Sequence, residues 1–123
     1  MKPQVPSIES IVAKITRSEV FRGCDLEQKL LRYLAEHSLK GDVPKETIIA
    51  MEVFRKGPEF DPAHDSVVRS RVSTLRKKLE YYYATEGKKD PFQIVIPRGR
   101  YAIELVPRKN KKGTRDKLVR TTF

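Results

Sequence analysis

One cysteine stands in the chain, Cys24, so no intrachain disulfide can form, which is compatible with a reducing cytosol. Beside Gly23 it reads as a small core filler rather than a nucleophile. Two histidines are present, His37 and His64, and no second His or Cys lies at a metal-ligand spacing, so no metal is expected. No apolar run approaches the ~20 residues of a membrane helix, and MKPQVPSIES has no signal-peptide core. The expectation is a soluble cytoplasmic chain, or a soluble fragment of a longer one, without membrane contact. Phosphate-cradling glycine loops, dinucleotide turns and Ser-His-Asp contexts are all missing. Asp61, His64 and Asp65 mimic a catalytic cluster, but Asp before Pro is turn chemistry and Asp before a helix is a cap. These absences point away from an enzyme, a cofactor or a small-molecule substrate.

Acidic residues are in deficit. The 123 residues carry 26 Lys and Arg against 16 Asp and Glu, a net of +10, which favours a polyanionic partner. The excess is uneven. Residues 107–123 hold seven basic residues and one acidic, a net of +6, while residues 1–106 hold 19 and 15, a net of +4. With 38% hydrophobic and 34% charged residues, one modest core with polar ends is expected.

The informative stretch is DSVVRSRVSTLRKKLEYYYATE, residues 65–86. Val68, Val72, Leu75, Leu79 and Tyr82 recur at helical spacing, so all five share one face. A turn of ~100° per residue sets Ser70, Ser73, Thr74 and Lys77 opposite that stripe. Arg69 and Arg76 flank one edge of the outer face, and Arg71 and Lys78 the other. Cations at the edges suit phosphate walls, and short polar groups between them let a helix approach base edges. A plain solvated face would look the same from the helix alone, so what surrounds the helix decides.

Upstream, residues 1–6 read as a flexible N-terminus, and Ser7 caps a helix over Ile8–Ile15. Asp25 and Gln28 sit at capping-box spacing before the Leu26–Leu34 stripe, and Gly41 supplies a left-handed stop. Pro44 opens a helix from Lys45 to about Phe54 whose apolar residues fall on more than one side, so it should lie between neighbours. The loop RKGPEFDPAH follows, and Asp65 caps the long helix, residues 66–86. Beyond it, FQIVI and YAIEL read as two strands joined by the basic turn Pro97–Arg100, a wing over residues 92–106. Residues 107–123 read as a disordered basic tail.

This order predicts an α+β, mainly α, winged helix-turn-helix domain over residues 7–106. It has a three-helix core, an extra N-terminal helix and a C-terminal two-stranded wing. The long helix would enter a major groove, and the arginine-tipped wing would reach the neighbouring backbone or minor groove.

The stretches VVRSRVSTLRKKL and PFQIVIPRGRYAIEL resemble the effector domains of OmpR-type response regulators. A nearer likeness is to bacterial winged-helix regulator domains at the N-termini of larger proteins, often preceding tetratricopeptide repeats. It rests on Glu52-Val53-Phe54, Phe60-Asp61-Pro62, Asp65, Val68-Arg69, Leu75-Arg76, Lys78-Leu79, Tyr82-Tyr83 and Pro97 to Tyr101. The resemblance spans about residues 18–106 and implies a DNA-binding transcriptional regulator. By motif position it implies base-facing roles for Ser70 and Thr74 and backbone-facing roles for Arg71, Ser73 and Arg76. Two departures stand out. The first forty residues read as helical where response-regulator effectors begin with a sheet, and Arg100 lies where a second wing glycine is usual.

The leading expectation is sequence-specific binding of double-stranded DNA. Ser70, Thr74 and Lys77 would face bases, and Arg69, Arg71, Arg76, Lys78, Arg98 and Arg100 would hold phosphates or probe the minor groove. About five engaged cations would give a log affinity–log salt slope near −4 to −5. The alternative is a protein interaction or dimerisation module, with Asp42, Glu46, Glu52 and Glu59 facing the partner. A homodimer on paired half-sites fits the first reading, though nothing fixes its surface. RNA is a weaker option, since glycine clamp loops and aromatic strand platforms are missing.

Overall fold

The structure, a computed structural model, describes residues 5–108. The chain runs α1 (Ile8–Thr16), α2 (Asp25–Leu39), α3 (Glu46–Glu52), α4 (Val67–Ala84), β1 (Phe92–Val95) and β2 (Glu104–Pro107). This is the expected winged-helix architecture: three core helices, α2 to α4, one extra helix before them, and an open two-stranded antiparallel sheet after them.

Local chemistry explains most boundaries. Ser7 caps α1 by accepting from the Ser10 amide at 3.1 Å. Gly41, at φ 74°, ends α2 in the left-handed region. The expected capping box at Asp25 is not there. Cys24 occupies the cap position without a side-chain capping bond, Asp25 is already helical, and the Gln28 side-chain amide instead donates to the Phe21 carbonyl at 2.8 Å. Phe21 is fully buried, and Gln28 holds the turn that carries it. At α4, Ser66 occupies the cap position, but the Asp65 carboxylate accepts from the Val67 amide at 3.0 Å. Lys56, 3.0 Å away, and that amide hold the Asp65 carboxyl below its usual range.

Helix α3 is shorter than expected and covered on one side only. Ile49 and Ala50 are buried, whereas Ile48 and Met51 are exposed. It is therefore not sandwiched between neighbours. The core forms around α4, whose Val68, Val72, Leu75, Leu79 and Tyr82 are all buried with Phe21, Leu30, Leu34 and Ile94. Burying one such side chain contributes roughly 1.5–3 kcal/mol, and five in a row fix which way α4 faces.

The hairpin register pairs Phe92 with Pro107 and Val95 with Glu104. The second strand thus begins three residues later than YAIEL suggests. Gly99, at φ 81°, turns the chain, and residues 101–103 then leave the ladder for the core. Ala102 and Ile103 are buried, and the Ile103 amide donates to Ser38 Oγ in α2 at 2.8 Å. Apolar alternation there records burial, not strand pairing.

The expected boundary after residue 106 falls inside β2. Pro107 is paired, and Arg108 donates to the carbonyls of Tyr83 and Gly87 while its guanidinium lies 5.2 Å from the Tyr83 ring centre. A cation there satisfies carbonyls at the negative end of α4. Most of the expected basic tail, residues 109–123, and residues 1–4 of the expected N-terminal segment lie outside the described residues. Two further ties brace the same end. Glu86 accepts from the amides of Glu19 and Val20 at 3.1 and 2.8 Å, and Lys14 meets Asp90 at 2.7 Å.

Candidate nucleic-acid interface

The buried stripe leaves the opposite face of α4 in solvent. Ser70, Ser73, Thr74 and Lys77 are all exposed, and no other segment among the described residues covers them. Thr74 donates its hydroxyl to the Ser70 carbonyl at 3.1 Å, so toward a ligand it presents acceptor lone pairs and a methyl group. Tyr81 extends this face and is exposed, while Tyr82 and Tyr83 seal the core, their rings packed edge to face.

The two edges of the face are built differently. On one edge Arg76 is half-buried. Its Nε donates to the Ile96 carbonyl at 2.9 Å and a terminal nitrogen to the Pro97 carbonyl at 3.0 Å. Burial, then the nearby Arg98, disfavour its charge, although an arginine keeps its proton at any ordinary pH. Arg76 therefore pins the hairpin tip to the helix. Arg69, two turns earlier, lies with its Nε 3.3 Å from Glu46 of α3 and donates to the Pro62 carbonyl at the opposite end of its fork. Between α4 and the tip, Glu46, Arg69, Val72, Arg76, Gly99 and Tyr101 line a cleft of about 400 Å³. Burial, then Glu46, raises the pKa of the Tyr101 hydroxyl.

On the other edge, Arg71 lies 3.6 Å from Glu27 of α2, and the Lys78 ammonium sits 5.9 Å from the Phe21 ring centre, at the limit of a cation–π contact. At the tip Arg98 and Arg100 are exposed, and Arg100 pairs with Glu104 at 3.2 Å. Among the described residues, Lys77 and Arg98 have no carboxylate partner.

The structure thus brings the ten sequence-selected residues onto one helix face, its edges and the adjoining tip. It also adds two, Glu27 and Glu46, that the sequence does not single out for this site. Glu27 carries no signal, because its partner Arg71 lies on another helix. The sequence suggests Glu46 with Asp42, Glu52 and Glu59 as a partner-facing acidic set, but three of the four have partners within the chain. Asp42 meets His37 at 2.8 Å, Glu46 meets Arg69, and Glu52 accepts from the Tyr33 hydroxyl at 2.6 Å. The Asp61 carboxylate accepts from the Ala63 amide and meets His64 at 2.7 Å, the turn chemistry expected of Asp before Pro. Among the described residues no three His, Cys, Asp or Glu side chains are grouped to hold a metal, and no helix is long and apolar enough to cross a membrane.

No protein-family model matches the chain, and no curated protein or solved structure matches it either. The class is therefore defined by architecture alone: a small winged-helix-type α+β domain with a helical core and a two-stranded antiparallel sheet.

Proposed function

We propose that the protein binds double-stranded DNA sequence-specifically, as a regulator of transcription, and is not an enzyme. One observation carries this reading: an uncovered, hydroxyl-rich face of α4 lies beside an arginine-bearing tip that Arg76 fastens to the same helix. In this reading α4 occupies the major groove with Ser70, Thr74 and Lys77 toward bases. The tip carries Arg98 and Arg100 to the adjoining backbone or minor groove. Arg100 counts as available because its ion pair is solvated on both sides and so worth little. The likeness of the α4 and wing sequences to bacterial winged-helix regulators supports the reading, as does the basic balance of the chain. A protein-interaction role is less well supported, since most of the acidic residues it would use have partners within the chain.

The test is fluorescence anisotropy of a labelled random duplex across a salt series. Lys78, Arg98 and Arg100 together give an expected slope of about −3 in log affinity against log salt, from ~0.9 per phosphate contact. That is shallower than the −4 to −5 expected from the sequence alone. A slope near zero at every concentration would reject DNA binding and leave the interaction module.

A further inference from the structure

Two arginines flank the N-terminal half of α4, and each is held by a carboxylate better buried than itself. The Arg69 side chain is 52% exposed and that of Glu46 19%; for Arg71 and Glu27 the figures are 46% and 12%. The Arg100–Glu104 pair, at 53% and 47%, shows what an ordinary solvated pair in this molecule looks like. The difference matters when a phosphate competes for the arginine. A solvated glutamate that loses its cation regains water. A mostly buried one regains far less, and is left poorly compensated. Glu46 is the sharper case. Its Oε2 is fully buried and accepts no well-aligned hydrogen bond, although Arg69 Nε is 3.3 Å away, so Coulomb attraction to that guanidinium is its main compensation. The two glutamates come from different helices, α3 and α2, and act on opposite edges of the same face.

Resting on the DNA-binding reading above, we propose that Glu46 and Glu27 are specificity-determining residues. They tether Arg69 and Arg71 to the scaffold and so keep two cations from engaging the phosphates of arbitrary duplex. Phosphate contacts are blind to sequence, so withholding two of them lowers non-specific affinity and leaves discrimination to Ser70, Thr74 and Lys77.

The experiment uses the full chain and the random duplex. Glu46→Gln and Glu27→Gln preserve shape and remove charge. Each is expected to free one arginine, steepening the salt slope by about 0.9 and tightening random-duplex binding about fivefold at 0.15 M salt. Glu80→Gln, which removes an exposed α4 carboxylate without an ion-pair partner among the described residues, controls for the general field. It should leave the slope unchanged. In an Arg69→Ala background the gain from Glu46→Gln should vanish. A gain that survives in that background, a gain matched by Glu80→Gln, or a loss of binding in both glutamine variants overturns the tether. Should Glu46→Gln fail to fold, Glu27→Gln decides the matter from the other edge. Wild-type protein with no salt-dependent retention overturns the DNA reading itself, and the tether with it.

Discussion

The two sides of α4 are made from the same eighteen residues and are under opposite constraints. The inner side is packed on every flank, and its residues are fixed by volume. The outer side touches only solvent, and its residues are fixed by nothing in the fold. Side chains that the fold does not require, yet that are polar, short and framed by cations, are where a binding function can reside. Arg76 sits on the border and serves both sides, since it orients the wing relative to the outer face.

Substitutions should separate the sides in a graded way. Leu75→Ala, on the fully buried stripe, should destabilise by about 2–5 kcal/mol in a denaturant melt and abolish duplex binding with the fold. Gly87→Ala tests the same core from outside the helix. A Cβ there would come within 2.4 Å of the Tyr82 ring, which is itself almost fully buried. The expected cost is about 1–3 kcal/mol of overpacking, with a correctly folded but less stable protein. Arg76→Ala should cost about 1–2 kcal/mol by removing the side-chain donors of two tip carbonyls. Its signature is hydrogen exchange: faster amides at residues 98–100, unchanged protection in α2. Uniform loss of protection would show that Arg76 belongs to the core after all. Thr74→Ala, on the outer side, should change stability by less than about 0.5 kcal/mol. Selection from a random duplex pool should then return an altered base preference at unchanged salt slope; an unchanged preference would remove Thr74 from the base-facing set.

Much of this contrast was legible in the sequence. The spacing of Val68, Val72, Leu75, Leu79 and Tyr82 fixed the buried face, and the outer face followed by geometry. What the sequence concealed depends on distance along the chain. Gln28 sits at capping-box spacing, yet its partner is the carbonyl of Phe21, on the far side of a turn, rather than the cap of its own helix. Residues 101–105 alternate like a strand, yet apolar alternation marks burial, and only the ladder marks pairing. The partners of Arg69 and Arg71 were hidden because their glutamates lie on α3 and α2. Periodicity within one helix says nothing of what another helix brings to its edge.

Arg108 carries a mechanical consequence. Its side chain grips the carbonyls of Tyr83 and Gly87, and its backbone amide the carbonyl of Pro91 at 2.8 Å. The second strand of the hairpin is therefore riveted at Arg108 to the C-terminal end of α4, so a pull applied at that residue loads the end of the helix through a single guanidinium.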